Sequence, residues 1–123
     1  MNAKLSMILR ILLGLILVVF GANKFLDFMP HMEMPEAAGN FMGAMMSTGY
    51  MLKLVGATEV VIGLLLLAKK AVPFALIVLA PVALNMVFFH LFLAPAGIVP
   101  AAVVTLLTIV LIYDNWNSYK SLF

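Results

Sequence analysis

Four long apolar blocks, separated by short polar segments, dominate the pattern of this chain. They predict helices over about residues 7–28, 51–68, 72–93 and 98–114. A helix needs roughly 20 residues to cross the hydrocarbon core of a bilayer, and about 17 is the short limit. The pattern therefore predicts an all-α integral membrane protein, a four-transmembrane-helix bundle in which residues 1–123 form a single domain.

The connection between the first two long blocks carries a shorter apolar pattern, at about residues 36–47. Pro35 and Glu36 suit the first turn of a helix, because proline has a fixed φ and glutamate complements the positive end of the helix dipole. An apolar stripe follows, formed by Ala38, Phe41, Met42 and Met45. We expect a short interfacial helix here, lying on or dipping into the outer surface of the membrane and capping the bundle.

The composition supports the membrane class and excludes several kinds of chemistry. Hydrophobic residues make up 66% of the chain and charged residues only 10%. The sequence has no cysteine, so the chain cannot itself exchange disulfides or form a thiolate metal site. The apolar composition indicates contact with the lipid bilayer, and the net charge of +2 is too small and too spread out to suggest binding to nucleic acid.

The basic residues are distributed unevenly between the two ends of the predicted bundle. Five of the seven lie at one end: Lys4, Arg10, Lys69, Lys70 and Lys120. Loops rich in lysine and arginine stay in the cytoplasm, so we expect both termini and the turn at residues 69–70 to be cytoplasmic. Tyr113, Trp116 and Tyr119 suit an aromatic belt at the same interface, with the tail lying on the membrane.

Two predicted helices carry glycines seven residues apart, with one charged residue on the same face. They are Gly14, Gly21 and Lys24 on the first helix, and Gly56, Gly63 and Glu59 on the second. Glycines on a membrane helix let a neighbouring backbone come close. A rise of about 1.5 Å per residue places the lysine and the glutamate at similar depths. We therefore expect the two glycine faces to pack together and to bring the two charges into contact.

Five polar residues are predicted to lie in the outer half of the bundle. They are Asn23, Lys24, Glu59, Asn85 and His90. One interpretation is a hydrogen-bonded plug that fixes how the helices pack. The other is a ligand pocket, in which a quinone headgroup could accept a hydrogen bond from the histidine or the lysine. Pairing of the glutamate with the lysine would keep it charged, whereas isolation would hold it neutral.

A second candidate site lies in the first outer connection. Its potential ligands are Met29, His31, Met32 and Met34. Thioether and imidazole groups suit Cu(I). Methionine is also a flexible packing residue at interfaces, so packing is the alternative interpretation.

Three stretches together resemble the DoxX family of bacterial membrane proteins: RILLGLILVVFGANKF, STGYMLKLVGATEVVIGLLLL and VPFALIVLAPVALNMVFFHLFLAPAG. The resemblance implies a four-helix bundle in the bacterial inner (plasma) membrane. Some relatives are associated with sulfur or quinone redox complexes, and others with metal-handling or oxidative-stress partners. The larger superfamily includes enzymes with cysteine pairs, but that chemistry does not carry over to a chain without cysteine.

Three functional hypotheses follow. The first is an accessory or anchoring subunit of a quinone- or sulfur-linked redox complex, bound to a membrane partner or to further copies of itself. The second is a quinone-binding oxidoreductase subunit that uses the polar cavity, and the third is copper handling by the outer loop. No residue pattern identifies a catalytic group.

Overall fold

The computed structural model describes residues 1–30 and 33–123, and every regular element within them is helical. The six α-helices are α1 (Ala3–Leu26), α2 (Glu36–Ser47), α3 (Met51–Ala68), α4 (Val72–Phe92), α5 (Ile98–Asp114) and α6 (Trp116–Tyr119). Single 3₁₀ turns occupy Pro95–Gly97 and Lys120–Leu122. Four of these segments are long and apolar enough to cross a membrane: α1, α3, α4 and the stretch Pro95–Asp114. The prediction of an all-α chain with four membrane-length helices is confirmed.

The first helix begins four residues earlier than its apolar block because Asn2 caps it. The Asn2 side chain accepts hydrogen bonds from the backbone N–H groups of Lys4 and Leu5, at 2.7 and 3.4 Å. These bonds satisfy donors that have no partner within the helix. At the other end the chain turns at Asp27, which adopts the left-handed conformation with φ of 51°.

The bundle is organised around two helix pairs. α1 packs chiefly against α3, and α4 packs chiefly against α5, while α1 also contacts α5. The core contains Leu13 and Leu17 from α1, Ile62 and Leu66 from α3, Leu76 and Leu79 from α4, and Val104 and Leu111 from α5. The outward faces are apolar as well, as expected for helices surrounded by lipid.

The turn between α3 and α4 is closed by backbone hydrogen bonds. The N–H of Lys70 donates to the carbonyl of Leu65 at 2.9 Å, and the N–H of Lys69 donates to that of Leu66 at 3.3 Å. This is a Schellman motif, in which Lys69 takes the left-handed position with φ of 54°. The two helices are therefore antiparallel neighbours joined by a short turn.

Side chains near this turn tie the termini to the same end of the bundle. The Arg10 guanidinium donates to the Leu66 carbonyl at the end of α3. Ser6 Oγ donates to Asp114 Oδ2 at 2.6 Å, and the N-terminal amino group lies 3.7 Å from Asp114 Oδ1. The start of α1, the end of α3 and the end of α5 consequently meet at one end.

The C-terminal tail folds back onto this end of the bundle instead of presenting all of its aromatic rings at the surface. Tyr119 is 3% exposed, and its hydroxyl donates to the Pro73 carbonyl at 2.6 Å. Burial raises the pKa of the Tyr119 hydroxyl above its ordinary value. Tyr113 is exposed, and Trp116 stacks on Phe123 with 5.7 Å between ring centroids. The predicted belt is therefore wrong for Tyr119, because its hydroxyl finds a carbonyl partner inside the fold.

Candidate functional site

The interface between α1 and α3 brings two pairs of glycines face to face. A Cβ atom built at Gly21 would lie 2.7 Å from the carbonyl oxygen of Gly56, and one built at Gly56 would lie 2.9 Å from that of Gly21. Real Cβ atoms essentially never approach this closely. The two backbones touch here because neither residue has a side chain.

The second glycine pair lies nearer the basic end of the same interface. A Cβ at Gly63 would lie 2.8 Å from the carbonyl oxygen of Gly14, and one at Gly14 would lie 3.0 Å from that of Gly63. The Gly63 position would also meet Cγ2 of Val18 at 2.7 Å. The helices are thus in close contact at both glycine pairs.

Lys24 and Glu59 form an ion pair beside the first glycine pair. Lys24 Nζ lies 2.6 Å from Glu59 Oε1. The Glu59 side chain is 1% exposed, whereas the Lys24 side chain is 22% exposed. The carboxylate is therefore enclosed by the bundle, and the lysine reaches it from a more exposed position.

The glycines also make room for the charged side chains. A Cβ at Gly56 would lie 2.9 Å from Cβ of Lys24, and one at Gly21 would lie 3.0 Å from Cβ of Glu59. Each charged residue thus stands opposite a glycine of the other helix. Close backbone packing and ion pairing depend on the same two glycines.

The lysine supplies the only compensation that the buried carboxylate receives from the described part of the chain. Neither oxygen of Glu59 makes a regular hydrogen bond there, although Oε1 is in the close ion pair with Lys24. A buried charge is costly unless it is paired. The ion pair can therefore stabilise the packing of α1 against α3 by electrostatic attraction.

The other three polar residues of the predicted cluster are not joined to this pair by any hydrogen bond in the described residues. Asn23 Oδ1 accepts from the Met29 N–H at 2.8 Å and so shapes the chain after α1. His90 Nδ1 lies 3.2 Å from the Ala94 carbonyl oxygen, at the turn before α5. Asn85 lies on the exposed face of α4. Among the described residues, the contacts therefore join Lys24 to Glu59, and the grouping of all five polar residues stays a prediction.

The space next to the ion pair is small. A pocket of about 160 Å³ is lined by Lys24, Lys53 and Tyr50, together with residues at the end of α2. Pockets that bind drug-sized ligands typically have about 300–1,000 Å³. A larger groove of about 280 Å³ lies between α3 and α4, but its lining is almost entirely apolar. The pocket beside the polar pair is therefore smaller than a typical ligand cavity.

Two of the four potential copper ligands, His31 and Met32, lie outside the described residues. Met29 is half-buried and Met34 is 47% exposed. Within residues 1–30 and 33–123, no group of three histidine, aspartate or glutamate residues could hold a metal ion. Copper binding by the thioether groups stays a prediction.

Arg10 lies on the same face of α1 as the glycines, and its contact with α3 was not predicted from the sequence. It lies four residues before Gly14, is 9% exposed and binds a backbone carbonyl of α3. The helical spacing of the sequence could have indicated this contact, because it places Arg10 on one face with Gly14, Leu17, Gly21 and Lys24. A basic residue near the start of a membrane helix is more readily interpreted as a topology signal.

Comparison with protein families gives a match to the model described as DoxX, over residues 5–91. The match covers all of α2 and α3 and nearly all of α1 and α4. The glycine pairs, Lys24 and Glu59 all lie within it. Searches of curated proteins and of solved structures gave no match.

Proposed function

Because the chain belongs to the DoxX family of membrane proteins, we propose that it is an integral membrane accessory subunit that anchors a redox complex in the bacterial inner membrane. The observation that carries the proposal is the closed state of the polar centre. Glu59 is 1% exposed and its charge is matched by Lys24. Since both charges take part in helix packing, the chain acts as a scaffold and the chemistry belongs to its partner.

The surface of the bundle supports an anchoring role. Large apolar side chains are exposed on all four long helices, for example Leu15, Leu64, Leu84 and Leu106. Such faces suit lipid, and they also suit the membrane helices of another subunit. An accessory role can therefore rest on these apolar faces and needs no catalytic or ligand-binding side chain.

The distribution of basic residues supports one orientation of the subunit in the membrane. The contacts between α1, α3 and α5 gather Lys4, Arg10, Lys69, Lys70 and Lys120 at one end of the bundle. The positive-inside rule places that end, with both termini, in the cytoplasm. The opposite end carries α2, where Phe41 and Met46 are exposed and only Ala38 is buried. An amphipathic helix with so few buried residues suits the interface on the outer side of the inner membrane.

One purification tests this proposal against the quinone and copper alternatives. The tagged protein is extracted from native membranes in lipid nanodiscs, without exposure to strong detergent. We expect another membrane protein in fixed stoichiometry, and no stoichiometric quinone or copper in the bundle after that partner is removed. The measurements are subunit composition by mass spectrometry, extracted lipids and metal content.

Each alternative has a separate outcome. Stoichiometric quinone that remains with the isolated bundle and is lost in Lys24→Met would contradict the accessory role. Stoichiometric copper that is lost when Met29, Met32 and Met34 are changed to leucine would assign the outer loop as a metal site. Leucine keeps the apolar bulk of methionine and removes only the sulfur.

A further inference from the structure

One polar side chain on the outer surface of α4 has no partner within the described residues. Asn85 is exposed, and its amide makes no hydrogen bond in this part of the chain. Unlike Thr105 Oγ1, which is buried without a hydrogen-bond partner in the described residues, the amide of Asn85 is exposed on the surface of the bundle. Two other threonines of the long helices are satisfied within their own helix. Thr58 and Thr108 donate to the backbone carbonyl four residues earlier, at 2.9 and 2.7 Å. The amide of Asn85 can therefore form hydrogen bonds only with groups outside the described part of the chain.

The position of Asn85 along α4 places it within the hydrocarbon region. It lies 13 residues after Val72 and seven before Phe92, which corresponds to about 20 Å and about 10 Å of helix. An asparagine side chain is too short to reach the headgroups from this depth. In the absence of a neighbour the amide would face lipid chains, which satisfy none of its hydrogen-bonding groups.

An apolar seam runs along the same side of α4. Its members alternate at spacings of three and four residues and are all exposed: Phe74, Ile77, Pro81, Leu84, Phe88 and Leu91. This is the a/d spacing of helices that pack along their length. Asn85 directly follows Leu84 and borders the seam. The face therefore combines a continuous apolar surface with one unsatisfied amide.

We propose that this face is a dimer interface, in which α4 packs against α4 of a second copy of the chain and the two Asn85 amides hydrogen-bond to each other. An amide carries both donors and an acceptor, so it is complementary to itself. Two copies inserted in the same orientation hold Asn85 at the same depth. At a two-fold axis, Asn85 of one copy can therefore contact Asn85 of the other, and the apolar seams of the two copies pack together. A different protein would need its own polar group at that depth.

The absence of native cysteine makes the location of the interface directly testable. Leu84→Cys and Phe88→Cys place single thiols on the seam, on either side of Asn85. Leu106→Cys is the matched control, because Leu106 is 62% exposed and lies about 12 Å from the outer end of α5. After reconstitution in phosphatidylethanolamine–phosphatidylglycerol vesicles and oxidation, we expect disulfide dimers from the α4 thiols and not from Leu106→Cys. This contrast should persist as the protein is diluted in lipid.

The role of the amide is tested by energy transfer between copies labelled at Ser118→Cys. Asn85→Leu should weaken dimerisation about tenfold, in line with the strength of one interhelical hydrogen bond in lipid. Asn85→Gln should retain it, and Thr58→Val, which removes a polar group from α3, should leave it unchanged. Far-ultraviolet circular dichroism checks that all variants remain helical.

Several results would overturn the proposal. They are a monomer at every lipid dilution, equal cross-linking through Leu106→Cys, or unchanged dimerisation in Asn85→Leu. Cross-linking of the α4 thiols solely to another protein would assign the face to that protein instead. None of these results bears on the accessory role, which is tested by the composition of the purified complex.

Discussion

At the scale of single residues, the two partners of the Lys24–Glu59 ion pair differ in burial, so the loss of either partner should have a different effect. Glu59 is enclosed, whereas the Lys24 side chain is 22% exposed and lines the pocket at the end of the bundle that carries α2. A lysine that loses its partner can turn towards water there. A carboxylate that loses its partner has no other group among the described residues to stabilise it.

The first prediction concerns the coupling between these two residues. Lys24→Met and Glu59→Gln should each destabilise the protein, by up to about 3–5 kcal/mol, because one partner of a buried pair is stranded. We expect Lys24→Met to be the more damaging, since it strands the more deeply buried partner. The free energy of unfolding is measured by denaturant titration in mixed micelles. Lys53→Met, at an exposed lysine that lines the same pocket, is the control and should have little effect.

The double variant decides whether the two residues act together. With both charges removed, part of the lost stability should return, because neither group is left buried and unpaired. Effects that simply add would mean that the carboxylate is stabilised by something other than Lys24. The ion pair would then have no role in joining α1 to α3.

At the scale of helices, the chain contains two kinds of glycine that respond differently to substitution. Gly21 and Gly56 face the opposing backbone, where an added Cβ would lie 2.7 and 2.9 Å from a carbonyl oxygen. Gly39 and Gly43 in α2 have nothing within 4 Å of the same position. Gly21→Ala and Gly56→Ala should therefore force α1 and α3 apart, and we expect a loss of about 1–3 kcal/mol for each.

Gly39→Ala and Gly43→Ala are matched controls for this prediction. Alanine has the higher helix propensity and meets no obstacle at these positions, so stability should stay equal or rise by up to about 1 kcal/mol. Thermal unfolding of all four variants in one detergent gives the comparison. Equal tolerance at all four positions would show that α1 and α3 do not depend on backbone contact.

The same helices show why some features could be predicted from the sequence and others could not. The glycines, Lys24 and Glu59 are rare residue types in apolar helices, so their spacing alone identifies the face that each helix presents. α4 is apolar on all sides, and its pattern does not indicate which side faces the bundle. The exposure of Asn85 depends on how α4 packs against α5 and could not be predicted. The start of α1 at Ala3 depends on the Asn2 cap and not on the apolar block.

At the scale of the whole molecule, the two ends of the bundle are built differently. The basic end is tied by side chains from distant parts of the chain: Ser6 to Asp114, Arg10 to Leu66 and Tyr119 to Pro73. The other end carries α2, which has one buried residue and a ring contact of 5.5 Å between Phe41 and Phe89. We expect α2 to open more readily than the basic end, because few buried contacts hold it.

The difference between the ends can be used to test the orientation in the membrane. Ser47 at the end of α2 and Ser118 in the C-terminal tail are both exposed and belong to opposite ends, and the chain has no native cysteine. Ser47→Cys and Ser118→Cys are made separately and treated with an impermeant thiol reagent. In intact cells, the reagent should label Ser47→Cys and not Ser118→Cys. After the cells are opened both should react, which controls for thiol reactivity. Labelling of the tail thiol alone in intact cells would reverse the orientation. It would then place the five basic residues outside, the Lys24–Glu59 pair in the cytoplasmic half and α2 at the inner interface.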